Sequence, residues 1–159
     1  MSTQIGPMHV RRSVHIDALP GRVWQEFETF QRLQGWLNLG HRLHKLEPRV
    51  GGQVELSVDI QGERQFFGGR VLSYDPEREL TFTSQWQSDS AWSVPTLWTI
   101  RLTPFYDGTL VELFHHGFER LGSSAGDELQ SYEEGWDVKH LKALRSIIHE
   151  QPLEASRDG

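Results

Sequence analysis

With 159 residues, 36% hydrophobic and 11% aromatic, the chain suits one compact domain, and at this length roughly 68–70% of the unfolded surface is buried without staples. A net charge of −6 without a basic stripe argues against a nucleic-acid or anionic-membrane partner, since phosphate contacts need clustered Lys and Arg. A cysteine count of 0 excludes thiol catalysis, disulfides and cysteine-bound zinc; separately, the histidines show no chelating pattern, and no metal or cofactor is expected.

The start, Met1 to Pro7, is polar and lacks a basic and apolar leader pattern, and no apolar run is long enough to span a bilayer, so a soluble cytoplasmic protein is expected. Residues 8–150 read as a single domain with flexible termini at 1–7 and 151–159. Val10, Val14 and Ile16 share one face of a first strand, and Arg12 interrupts that face as a guanidinium that snorkels or pairs with a carboxylate. Asp17-Ala18-Leu19-Pro20 stops the strand where a helix can begin. Val23, Trp24, Phe27 and Phe30 then follow at helical spacing. Gly35 is expected to break this segment, giving a short helical hairpin that ends around Trp36 to Gly40 and plugs one end of a cavity.

From Leu43 the period changes to two. Val54, Leu56, Val58 and Ile60 form the apolar face of a half-wet strand, and Gln61-Gly62-Glu63 is a hairpin turn. Phe67, Gly69 and Val71 share the next face before a turn at Tyr74-Asp75-Pro76-Glu77. Leu80, Phe82, Ser84 and Trp86 alternate, a polar loop spans Gln87 to Ser93, and Trp98, Ile100 and Leu102 follow. Phe105-Tyr106-Asp107-Gly108 turns into a last strand that puts Val111, Leu113 and His115 on the core face. His115 and His116 point to opposite faces and cannot chelate one ion.

Ser124 to His149 reads as one long amphipathic helix. Ser124 caps it with Asp127 in the capping-box position, Glu128 adds first-turn charge, Lys139, Lys142, Arg145 and His149 load the C-terminal half, and Pro152 ends it. Leu129, Tyr132, Trp136, His140, Ala143 and Ile147 fall on one face, flanked by Leu144 and Ile148. That face needs a broad apolar partner, which the run of strands supplies. His140 lies mid-stripe, where a hydrogen-bonded core histidine is the first reading and a functional one the second. Glu133, at the stripe's edge, reads first as a solvated or paired carboxylate.

The order of these elements and several phrases resemble the START-like helix-grip (SRPBCC) superfamily, in particular its branch of activators of the heat-shock protein 90 ATPase. The resemblance rests on Asp17-Ala-Leu-Pro20 with Val23-Trp24, Gly51-Gly52, Gly69-Arg-Val-Leu-Ser-Tyr-Asp-Pro-Glu-Arg-Glu-Leu-Thr-Phe82, Gly108-Thr109, His116-Gly117-Phe118, and Tyr132 with Gly135-Trp136 and Leu141. It implies an α+β helix-grip fold, a curved antiparallel sheet of about seven strands wrapped round a long C-terminal helix with an apolar cavity between them.

On the alternation above, Trp36, Phe67, Phe82, Trp86, Trp98, Tyr132 and Trp136 project toward the gap between sheet and helix, joined by Leu113, His115 and His140. So many large rings are hard to pack without leaving a cleft. These ten residues are the expected ligand-binding set, for a small apolar or aromatic molecule. No catalytic or metal-binding residue is assigned. Two alternatives remain: a cyclase-like enzyme for aromatic or polyketide-type substrates, with His140, Tyr132 or His115 moving protons, and a chaperone-partner module. A homodimer is compatible with either. Chaperone activators of this kind usually act within a longer chain carrying a separate contact domain, so the length favours the small-molecule reading.

Overall fold

The computed structural model describes residues 9–38, 41–87, 94–118 and 139–150. Seven strands, β1 (His9–Ile16), β2 (Arg42–Leu46), β3 (Gln53–Ile60), β4 (Glu63–Asp75), β5 (Glu79–Trp86), β6 (Thr96–Phe105) and β7 (Gly108–His116), form one sheet in the order β1-β7-β6-β5-β4-β3-β2. Every neighbouring pair is antiparallel. The fold is α+β, as the period changes in the sequence predict. Because β2 to β7 form a meander while β1 lies beside β7, the chain must cross the sheet between its first two strands. That crossing contains α1 (Pro20–Trp24), a 3₁₀ turn (Gln25–Phe27) and α2 (Phe30–Leu37).

The turns are where the residue types require them. Gln61 and Gly62 adopt φ of 52° and 83°, the pair of left-handed residues that a two-residue hairpin needs. In β4 the register shifts between the pairs Val71–Phe82 and Ser73–Thr81, so Leu72 is an extra residue that bends the strand. The inner face beyond the bend is apolar: Leu80, Phe82, Ile100, Val111 and Leu113 are all buried against it.

The crossing segment is held over the sheet by polar contacts as well as rings. Pro20 begins α1, and Thr29 caps α2 by accepting from the Arg32 N–H at 3.2 Å. Trp24 stacks on Phe27 at 4.7 Å, and Tyr74 of β4 donates its hydroxyl to the Phe27 carbonyl at 3.3 Å. Glu26 is buried, and one of its oxygens receives Arg22 at 2.7 Å and Arg32 at 2.8 Å. Gly35 does not break this segment. It lies within α2, on the side that faces Ile147 of the C-terminal helix, where a Cβ would stand 3.7 Å from Ile147 Cδ1, an ordinary contact.

That helix, α3, is described over Lys139–Glu150 and packs against β1 and α2. The expected N-terminal part, from Ser124 to Val138, lies outside the described residues, and with it Leu129, Glu133 and the capping residues. Within α3 the buried positions are His140, Leu141, Leu144 and Ile148, while Ala143 and Ile147 are half-buried at the edge. The stripe is therefore rotated from the expected one, because α2 takes up Ile147. At the other end of α3, His149 Nε2 accepts from the Asp17 N–H at 3.0 Å and ties it to the end of β1. Among the described residues no helix is long and apolar enough to cross a membrane.

Candidate functional site

Trp98 is the hub of the interior. Its cross-strand partners are Phe82 on β5 and His115 on β7, and their ring centroids lie 5.4 and 5.6 Å from it. From β4, the strand beyond β5, Phe67 approaches to 6.3 Å, and Phe67 in turn meets Trp86 at 4.9 Å. His41, just before β2, sets its ring 5.6 Å from Trp98 and 6.0 Å from Phe67, edge-on to both. It also stacks on His140 of α3 at 4.8 Å with planes 30° apart. Four strands, one pre-strand residue and the C-terminal helix thus converge on one cluster of rings.

The polar atoms inside this cluster have definite directions. Thr96 donates its hydroxyl to the Ser84 carbonyl at 3.2 Å, so at 2.7 Å it accepts from His115 Nε2. His115 is therefore the Nε2–H tautomer, with Nδ1 as an acceptor. Burial, then the neighbouring His116, pushes its pKa down to about 3. His140 Nδ1 donates to the Trp36 carbonyl at 3.3 Å. His41 is also pushed down to about 3, first by burial, then by the charges of His140 and Lys139, against a hydrogen bond to the Leu37 carbonyl that raises it. At neutral pH the cluster therefore contains two imidazoles held uncharged. An open pocket of about 310 Å³, lined by His41, Arg42, Ser57, Val58, Asp59 and Arg64, shares His41 with the cluster.

Of the expected set, Phe67, Phe82, Trp86, Trp98 and His115 form a connected chain of ring contacts. His140 joins it through His41, and Leu113 faces inward beside Ile100. Trp36 is fully buried, but its ring packs on Phe27 at 5.1 Å and its Nε1 donates to the Glu26 carbonyl at 3.1 Å. It reaches the cluster through its backbone carbonyl. Tyr132 and Trp136 lie outside the described residues. His41 is absent from the expected set, although a signal existed: extending the period of two one step back from Leu43 puts position 41 on the inner face. His115 and His116 do point to opposite faces, toward Thr96 and Thr99.

Over residues 17–148 the sequence matches the family model of activator of Hsp90 ATPase homolog 1-like proteins. The chain belongs to that family. Its fold is shared with the AHSA1 protein of Silicibacter pomeroyi (TM-score 0.67, 18% identity, 90% of this chain and 99% of that one). It is shared with the Aha1 dimer of Colwellia psychrerythraea (TM-score 0.55, 15% identity, 86% and 92%). DynU16, a protein of the dynemicin biosynthetic locus, also resembles it (TM-score 0.62, 18% identity, 91% of this chain and 48% of that one). Among curated proteins none matches the chain in sequence. Membership in the activator of Hsp90 ATPase homolog 1-like family accounts for the curved seven-stranded sheet, and at these identities it carries the fold rather than a ligand.

Proposed function

We propose that the protein binds a small apolar or aromatic molecule between the sheet and the C-terminal helix. The observation that carries this reading is the convergence on Trp98 of Phe67, Phe82, His41 and His115, with His41 also lining a pocket of about 310 Å³. Binding is favoured over proton-transfer catalysis by the state of the imidazoles. A general base works best with a pKa near the operating pH, and His41 and His115 sit near 3.

The reading is tested by native mass spectrometry of protein purified from its own host, and by titrating flat aromatic and fatty-acyl compounds against tryptophan fluorescence and melting temperature. Burying about 200 Å² of ligand at about 25 cal/mol per Å² yields roughly 5 kcal/mol before loss of ligand freedom, so generic probes should bind weakly but measurably. A retained small molecule, or quenching with a raised melting temperature, supports the proposal. Absence of all three responses removes it and puts the chaperone-partner reading first, which rests on family membership.

A further inference from the structure

The open pocket that shares His41 with the ring cluster crosses an edge of the sheet. β2 begins at Arg42, opposite Ser57, so Val58, Asp59 and Ile60 of β3 run past its start with no strand paired on that side among the described residues. Residues of both faces line the resulting notch: Val58 packs against the core, whereas Ser57 and Asp59 alternate with it and point the other way. His41 belongs to the notch and to the cluster at once, since its ring meets Trp98, Phe67 and His140.

The charges in the notch do not balance. Asp59 lies directly across from Arg64 and pairs with it at 3.4 Å, and the Ser57 hydroxyl is engaged with His44 Nε2 at 2.7 Å. Arg42 is exposed and makes no hydrogen bond or ion pair among the described residues. Two guanidiniums thus share the notch with one carboxylate, and the charge left over is positive. His41 adds none, because burial keeps its ring neutral at pH 7. A cationic group on a ligand would meet like charge here. A neutral one would leave Arg42 as it is. An anionic group supplies the missing partner, and a guanidinium holds a carboxylate by charge-assisted hydrogen bonds.

We propose that the ligand is an amphiphilic acid, with its flat apolar body against the rings at His41 and its carboxylate paired with Arg42 in the notch. The proposal rests on the small-molecule reading above and names the ligand class for that site. The aromatic cluster then supplies the burial and Arg42 the selection by charge. Asp59 limits that selection, because its own charge opposes an anion in the same pocket.

The test uses the full chain and three probes on one ring system, 2-naphthoate, 2-naphthamide and 2-naphthylmethylammonium, titrated at pH 7 by calorimetry and tryptophan quenching. The wild type should bind naphthoate about fivefold more tightly than the amide, and the ammonium more weakly than either. Arg42→Gln should bring naphthoate and the amide within about twofold of each other while leaving the affinity for the amide unchanged. Asp59→Asn should act in the opposite direction and widen the preference for naphthoate about twofold. Both positions are exposed, so neither change should move the melting temperature appreciably. Equal wild-type affinities for naphthoate and the amide, or a preference that survives in Arg42→Gln, overturn the proposal while leaving the small-molecule reading standing. If none of the three binds, that reading falls and takes the proposal with it. Should Arg42→Gln fail to fold, the wild-type comparison and Asp59→Asn decide the matter, and a preference that Asp59→Asn leaves unwidened overturns the proposal.

Discussion

The two faces of β5, β6 and β7 both bury histidine, and they treat it in opposite ways. On the outer face Thr81 donates to Glu79 Oε2 at 3.4 Å, so at 2.9 Å it accepts from Thr99, which at 2.8 Å accepts from His116 Nε2. Arg101 completes the series with Nη2 and Nε donating to Glu79 Oε1 at 3.1 and 3.4 Å. Thr81, Thr99, His116 and Glu79 are each at most 2% exposed. Every hydrogen in this chain runs toward a carboxylate that a guanidinium balances. On the inner face His115 Nε2 donates to Thr96, whose hydroxyl donates to the Ser84 carbonyl, and the ring lies against Trp98 and Phe118. Burial of a histidine is therefore not what marks a site. Its surroundings are: a chain closed on a balanced charge stabilises the sheet, whereas a neutral imidazole among rings is suited to an aromatic ligand.

The comparison breaks most readily at Glu79. Replacing it with Ala leaves Arg101 partly buried without its carboxylate and removes the acceptor at the end of the chain, which should cost about 3–5 kcal/mol. Urea unfolding should show that loss, with ligand affinity in the surviving folded protein unchanged. A loss below about 1 kcal/mol would mean that Glu79 is not the terminus on which the outer face depends.

Acid should act on the inner face instead. His41 and His115 have folded pKa values near 3, below the ordinary 6.5. The unfolded chain therefore binds protons first as pH falls, so the stability these groups contribute is full above about 6.5 and is lost between there and 3. From pH 7 to pH 5 each should cost about 2 kcal/mol, a window mostly above the carboxylate titrations. Urea midpoints at the two pH values should show this drop. In His115→Leu the drop should be smaller by about one histidine's share, with the curve otherwise parallel.

Much of the fold was legible in the sequence because a period of two survives wherever one face is buried. Alternation alone puts Val54, Leu56, Phe82, Trp98, Ile100 and Leu113 inward, and they are buried. Gly35 does not end its helix because one glycine costs a helix only about 1 kcal/mol, which the burial of Leu33, Trp36 and Leu37 in α2 outweighs. The phase of α3 differs from the expected one because periodicity does not say which of two surfaces, sheet or α2, covers each position. Arg12 remained only an interruption: it is half-buried and donates to the neighbouring Arg11 carbonyl at 2.8 Å. The rings of the site were legible from alternation. Its polar logic was not, because tautomers follow from hydrogen-bond directions between residues far apart in sequence, such as Thr96 and His115. His41 was missed because it precedes the first residue at which the alternation is visible.

The smallest effect separates the faces most cleanly, because the same change can be made on each. Thr99→Val on the outer face removes a hydroxyl that accepts from His116 and donates to Thr81, leaving two buried groups without it. Thr96→Val on the inner face removes one that accepts from His115 and donates to the Ser84 carbonyl. Each substitution conserves shape and should cost about 1–3 kcal/mol for the stranded groups. The stability losses should therefore be similar. Binding should not be. Thr99→Val leaves the ring cluster untouched, so its affinity for an aromatic probe should stay within about twofold of wild type. Thr96→Val removes the bond that holds the His115 ring beside Trp98, so the affinity for an aromatic probe should fall severalfold. Calorimetric titration of both variants with the same aromatic probe makes the measurement. Equal affinities in the two would show that the bond between His115 and Thr96 has no part in holding the ring cluster for a ligand.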